Sequence, residues 1–298
     1  MKDHPIKGIS MMLVAVFLIM VMNMFAKLVS DDFTPAEIVF WRGFFAMPII
    51  IGIIAYRKDW ALLKTARLKG QIIRGVGGSF GILSVFWAYS LMPMADVVAI
   101  MFTAGLMTTA LSALWLGEKV GVYRWGAVAI GFIGAVIAAN PMDSNFNVEG
   151  TLVALAAAFI GGAVVSTMLR SLGKTEPAIT TVFYTLVMNS IVSAPFLIVS
   201  GTHIPSMNAI PILLGVGVAG VISLLFKTQA FRYAEASLLS PIHYTSIIWG
   251  VLFGYFIWGD VPAINVLIGA TIIITANIVI IWRENKKSKS KTDSHQEA

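Results

Sequence analysis

The sequence predicts an all-α integral membrane protein with ten transmembrane helices, built as two inverted five-helix repeats. Three observations predict it. Of 298 residues, 58% are hydrophobic and only 12% are charged, with a mean hydropathy of +0.85. One soluble core cannot hide that much apolar surface, so lipid is the solvent the composition calls for. Apolar runs of about 20 residues, enough to cross a bilayer, recur along the chain. Finally, the basic residues collect on alternate connections, and the chain resembles itself at a constant offset.

The spans fall near 8–28, 35–56, 70–90, 95–116, 122–139, 150–170, 178–199, 209–230, 237–258 and 263–282. The first follows Lys2 and Lys7 as a signal peptide would, but its apolar stretch is too long and no A-x-A site follows, so it reads as a retained span. Pro35 opens the second, which carries Arg42 inside the run EIVFWRGFFAMPIII. Six basic residues (Arg57, Lys58, Lys64, Arg67, Lys69 and Arg74) fill the next connection and the adjoining helix end. Lys119 and Arg124, Arg170 and Lys174, and Lys227 and Arg232 mark every second connection after it. With the termini, 19 of the 21 Lys and Arg residues lie on one side; Lys27 and Arg42 are the exceptions. The positive-inside rule then puts both termini in the cytoplasm.

The offset of self-resemblance is 142. Gly8 aligns with Gly150, Phe17 with Phe159, Pro35-Ala36 with Pro177-Ala178, Gly75 and Gly78 with Gly217 and Gly220, Ala88 with Ala230, and Gly117-Glu118 with Gly259-Asp260. The first repeat covers 8–139 and the second 150–282, leaving 283–298 as a polar tail whose composition predicts a disordered cytoplasmic segment near anionic lipid. Five spans per repeat is an odd number, so the halves are inverted. Inverted halves put a central site between them near the midplane, as alternating access requires.

Two stretches carry a family resemblance: SLMPMADVVAIMFTAGLMTTALSALWLGEKV (90–120) and QAFRYAEASLLSPIHYTSIIWGVLFGYFIWGDVP (229–262). They resemble the paired signatures of the drug/metabolite transporter superfamily, more narrowly its EamA-type members with ten helices. The second stretch is the more specific, with Ala236-Ser237, Pro241, Tyr244, Trp249 and Gly254 in the usual places. The first departs: Ala104-Gly105 replaces a frequent proline, which removes the usual reason for a kink, and Asp260 replaces the more usual Glu. The resemblance implies a cavity lined by helices 1–4 and 6–9. Helices 5 and 10 stay peripheral, as the surface for a homodimer contact. It fixes no substrate.

GVGVAG (215–220) satisfies a dinucleotide fingerprint literally, but it lies inside an apolar span without a preceding strand, and its glycines read as close helix packing. Arg42 stands about 10 Å inside the outer face. A snorkelling or structural role weighs against a substrate role there, and Asp96 is the partner the sequence offers. Glu37 and His243 are the proton-relay candidates, yet His243 shares a stripe with Gly250 and Gly254, which favours packing. Trp249 lies about 18 Å deep, away from the interfacial belt. It is therefore a better cavity residue, beside Thr245, Ser246 and Tyr244. Thr108, Thr109 and Ser112 face them from the repeat partner, helix 4. Trp87 and Gln229 are repeat partners and weaker cavity candidates; Lys227 reads as a snorkelling lysine.

Absences narrow the chemistry. No carboxylate lies deep in a span, no basic cluster is evident at depth, and no Cys exists for disulfides or thiolate sites. No cofactor, metal site or nucleic-acid partner is expected. The reading is a secondary transporter in a bacterial inner membrane, with lipid and a small neutral, zwitterionic or singly charged organic solute as partners, export being the family-implied direction. The alternative is an integral-membrane enzyme. It would need clustered acids or His with acids at one interface, whereas Asp31-Asp32 has no histidine near it in sequence.

Overall fold

The structure is a computed structural model that describes residues 5–115, 122–142, 146–165, 168, 176–200, 204–233 and 239–296. Ten helical rods account for the described chain. They are α1 (Pro5–Leu28), α2 (Pro35–Arg57), α3 (Leu68–Leu91), α4 (Met94–Met101, then Thr103–Trp115) and α5 (Val122–Ala139). The second half comprises α6 (Val148–Ala157 with a π segment Ala158–Val164), α7 (Ala178–Ser200) and α8 (Ala209–Tyr233). It ends with α9, which joins a 3₁₀ turn Ser240–Thr245, an α segment Ser246–Phe253 and a π segment Gly254–Trp258, and with α10 (Ile264–Gln296). Six helices are apolar for at least 18 residues, and four shorter apolar helices complete the set. The chain is a multi-pass membrane protein. Lipid can hydrogen-bond no backbone group, and helices satisfy theirs internally.

Local chemistry starts and breaks these rods. Thr34 caps α2 in a capping box: its Oγ1 accepts from the Glu37 N–H, and its own N–H donates to Glu37 Oε2 at 2.8 Å. Asn147 caps α6 in the same way through Gly150 N–H, 2.7 Å. α4 breaks at Phe102 without any proline. Thr103 Oγ1 donates back to Ile100 O at 2.7 Å, and Asn277 of α10 donates to the Phe102 carbonyl at 3.3 Å. A side chain from another helix thus takes up the carbonyl that the break disturbs, which a search for proline cannot detect.

Packing follows a pseudo-twofold relation between the halves. α1 lies along α8, and its repeat partner α6 lies along α3; α2 packs on α8 as α7 packs on α3; α4 meets α9, and α5 meets α10. The glycines make this possible. A Cβ added to Gly217 would lie 3.2 Å from Arg42 O, and one added to its repeat partner Gly75 would lie 3.6 Å from Tyr184 O, the equivalent of Arg42. Between α3 and α6, Gly81 and Gly161 bring two backbones together. α10 continues through Gln296, so the segment expected to be disordered is helical as far as that residue.

Candidate functional site

The seam between α4 and α9 gathers most of the residues singled out from the sequence. Both helices are interrupted there at repeat-equivalent positions: α4 restarts at Thr103, and the 3₁₀ turn of α9 ends at Thr245. Discontinuous helices facing each other near the midplane are the construction of transporter binding sites. Around the breaks stand aromatic rings. Tyr244 meets Phe102 edge-on with centroids 5.1 Å apart, and Trp249 meets Phe17 of α1 in the same way at 4.8 Å. Phe253 lies 6.2 Å from Trp249. Met20, Met24 and Ile247 pack in the same cluster.

The expected hydroxyls are present with their protons committed. Thr245 Oγ1 donates to Ile242 O, Ser246 Oγ to His243 O and Thr108 Oγ1 to Ala104 O, each at 2.7 Å; Thr109 Oγ1 donates to Gly105 O at 3.2 Å. Their oxygens keep lone pairs and can accept from a solute donor. Ser112 has a side chain outside the described residues. Trp87 is 45% exposed, between the buried neighbours Phe86 and Ala88. Gln229 is half-buried on α8, next to Ala230, which packs with Met12 and Leu239.

Arg42 does not pair with Asp96, and that expectation is corrected. α2 packs chiefly on α7 and α8, whereas α4 packs chiefly on α5, α6, α9 and α10, and α3 touches both. Gly220 of α8 leaves room for the Arg42 side chain, with Nε 2.8 Å from where a Gly220 Cβ would be, and Gly217 leaves room for the α2 backbone at Arg42 O. Arg42 is 7% exposed, and its Nε has no partner among the described residues. Asp96 faces Lys27 and Asp260 instead. Lys27 Nζ stands 4.0 Å from Asp260 Oδ2, donates to Met92 O at 2.7 Å and lies over the Trp258 ring. Lys27 was one of two basic residues off the inner side, and that was the available signal.

Glu37, completely buried, has an oxygen engaged by Thr34. Arg74 is 4% exposed on α3. It stands six residues inside α3, at the helix end that adjoins the basic connection. Beside it, α3 and α7 share polar contacts: Gln71 Nε2 donates to Thr181 Oγ1 at 3.3 Å, Arg74 to Thr185 Oγ1 at 2.6 Å and Ser79 Oγ to Asn189 Oδ1 at 2.8 Å. In the first half, Asn23 of α1 donates to the Tyr89 hydroxyl at 3.2 Å. Among the described residues no group of three or more His, Cys, Asp or Glu could hold a metal.

Paired discontinuous helices between inverted halves of an all-helical membrane protein define a transporter rather than an enzyme. A family model described as the EamA-like transporter family matches residues 6–140 and again 148–282, displaced by the same 142 residues at both ends. The chain belongs to this family. It is 30% identical over 260 residues to an S-adenosylmethionine uptake transporter of Rickettsia conorii, covering 87% of this chain and 86% of that one. It is likewise 30% identical over 296 residues to a riboflavin transporter of Vibrio cholerae, covering 97% of each. A pseudopaline exporter of Pseudomonas aeruginosa is 26% identical over 274 residues, covering 92% and 95%. A solved crystal structure superposes with a TM-score of 0.64 at 17% identity, covering 92% of this chain and 96% of that chain, and so shares the fold.

Proposed function

We propose that the protein carries a small organic metabolite across the bacterial inner membrane by alternating access, with both termini cytoplasmic and export as the working direction. The solute is neutral, zwitterionic or singly charged. The observation that carries the reading is the pair of helix breaks at Thr103 and Thr245, facing each other beside the Phe17–Trp249 and Phe102–Tyr244 ring pairs. Broken helices free backbone groups to meet polar parts of a solute, and the rings offer an apolar wall. The relatives named for S-adenosylmethionine, riboflavin and pseudopaline agree on small organic cargo and differ in direction. In this reading Thr108, Thr109, Thr245 and Ser246 accept hydrogen bonds from the solute, and Trp249 stacks on it. Where two copies associate, the peripheral pair α5 and α10 is the surface we assign to the contact.

The test is transport by purified protein in proteoliposomes, using solutes found by a metabolite screen in cells overproducing it. Trp249→Ala is expected to change KM or the order of preference among solutes by about tenfold or more, with normal membrane insertion, since aromatic stacking and burial are worth about 1–3 kcal/mol. Wild-type kinetics across the whole panel would remove the α4–α9 seam as the site.

A further inference from the structure

The guanidinium of Arg42 lies at the middle of the bundle rather than at either end. Arg42 belongs to the inward stripe of α2 with Val39, Ala46 and Ile50, while Phe44 on the opposite face is 56% exposed. α8 runs beside α2 in the same direction: Leu213 clusters with Ile38 and Val39, and Val221 with Ile50 and Ile54. The Arg42 carbonyl is 3.2 Å from where a Gly217 Cβ would be, but Nε is 2.8 Å from where a Gly220 Cβ would be. Three residues of rise, about 4.5 Å, therefore carry the guanidinium past its own carbonyl, away from Pro35 and the nearer end of α2. A helical side chain leans toward the N-terminus of its helix, and a snorkelling arginine would follow that lean to the nearer interface. This one extends the other way, to Gly220 at the centre of α8.

Nothing there answers its charge. Met22 Sδ of α1 reaches the same notch, 2.9 Å from the Gly220 Cβ position, and a thioether is a weak acceptor. The Gly220 carbonyl accepts from Ser223 Oγ at 2.8 Å. Arg42 is 7% exposed, its Nε is sealed without a partner, and no hydrogen bond or ion pair engages its terminal nitrogens among the described residues. Those two nitrogens, unlike Nε, still touch accessible space. An ionised group at the centre of a membrane bundle is costly, and one without a partner marks a substrate path. Packing alone would be served better by an uncharged side chain of that length.

We propose that the terminal nitrogens of Arg42 receive a carboxylate of the solute, and that this point takes a single anionic group. The proposal rests on the transport reading and deepens it: of the solutes allowed there, those bearing one carboxylate are selected. A carboxylate approaching end-on accepts from Nη1 and Nη2 together, a bidentate pair that matches the guanidinium fork and neutralises it. A dianion would leave a net negative charge in the same enclosed space. α1 joins this point to the aromatic seam, with Met22 at the notch and Met20 and Met24 in the cluster that holds Trp249.

The experiment follows thermal unfolding of the full chain in detergent. Sodium acetate, sodium benzoate, disodium succinate and sodium phosphate are each compared with sodium chloride at equal ionic strength. Acetate or benzoate is expected to stabilise the wild type saturably, with apparent affinity falling at least about tenfold in Arg42→Met, the size of a lost charged hydrogen bond. Arg42→Lys keeps the charge without the fork and is expected to fall between the two. Gly220→Ala keeps the arginine but crowds it, against flexible side chains rather than backbone. It is expected to fold and to weaken the carboxylate several-fold, and it decides the matter where Arg42→Met does not fold. Affinity unchanged in these variants would overturn the proposal, as would the absence of any saturable advantage of a carboxylate over chloride. Stronger stabilisation by succinate or phosphate would overturn the selection for a single charge. Proteoliposomes separate the two readings. Arg42-dependent stabilisation in a protein that carries no solute of the panel leaves the carboxylate site standing and removes the transport reading. Transport of carboxylate-bearing solutes that ignores Arg42→Lys and Arg42→Met overturns the site and leaves that reading intact.

Discussion

The Lys27 ammonium stands 4.0 Å from Asp260, Nζ to Oδ2, at one end of the bundle, while donating to the Met92 carbonyl at 2.7 Å. Lys27 lies in the last turn of α1, Met92 precedes α4 and Asp260 follows α9, so one side chain links both repeats. Such a contact must break whenever a pathway opens outward between α1, α4 and α9. The absence of cysteine makes this directly measurable. Met94, fully buried in the described structure, is the reporter: Met94→Cys is expected to react with a membrane-impermeant maleimide several-fold faster when Lys27→Gln is added. Equal rates in the two backgrounds would remove Lys27 as a latch.

Arg42 and Asp96 stand on helices with chiefly different neighbours, which predicts that they act independently. In a double-mutant cycle, Arg42→Ala and Asp96→Ala should add within about 0.3–0.5 kcal/mol in unfolding free energy, as distant sites do. Lys27→Ala and Asp260→Ala should show coupling above that range. Coupling between Arg42 and Asp96 of 1 kcal/mol or more would restore the pairing that the sequence suggested.

Glycine substitutions separate close contact from open space. A Cβ on Gly81 meets the Gly161 Cα at 2.5 Å, and backbone there has nowhere to go. Gly81→Ala is expected to destabilise by about 1–3 kcal/mol, as overpacking does. Gly52 and Gly78 have nothing within 4 Å of an added Cβ. Gly52→Ala and Gly78→Ala should be neutral or stabilising by up to about 1 kcal/mol through helix propensity. The check is the unfolding midpoint of each purified variant; a Gly78→Ala loss as large as that of Gly81→Ala would contradict the α3–α6 packing.

The ten spans and their pairing into halves could be read from sequence because lipid forces each span to be apolar along its length, and the glycines repeat in register. The α4 break could not. It depends on Asn277, 175 residues from Phe102, supplying a donor, and no local rule encodes that contact. Arg42 was misjudged for a related reason. Helical phase says which way a side chain leaves its own helix, but the room left by Gly217 and Gly220 belongs to another. The same two glycines were correctly read as packing residues, so half of that contact was visible.

The proposed topology predicts opposite behaviour at two fusion points. A reporter joined after Glu149 should be active as a periplasmic alkaline phosphatase and dark as green fluorescent protein, and one joined after Lys174 should show the reverse. The inverted arrangement of α1–α5 and α6–α10 depends on an odd number of crossings before Glu149. The same signal from both fusions would show that α6 does not cross the membrane.

Energy coupling is the last consequence of what the spans contain. A proton-driven carrier needs a titratable group that changes partners as the pathway switches sides, usually a carboxylate within the membrane. Glu37 is occupied at the Thr34 cap, where its carboxylate accepts from both the backbone N–H at 2.8 Å and the hydroxyl at 2.9 Å. Moving that carboxylate would uncap α2, which costs about 1 kcal/mol before any transport step. Asp260 stands with Lys27 at one end of the bundle, Oδ2 to Nζ 4.0 Å. Solute flux in proteoliposomes is therefore expected to follow the solute gradient, with accumulation unchanged when nigericin collapses the pH gradient. Glu37→Gln should lower the unfolding midpoint yet leave the pH dependence of transport as it was. Accumulation that vanishes with the pH gradient, and a Glu37→Gln or His243→Gln variant that still exchanges solute but no longer accumulates it, would instead identify that side chain as the proton carrier.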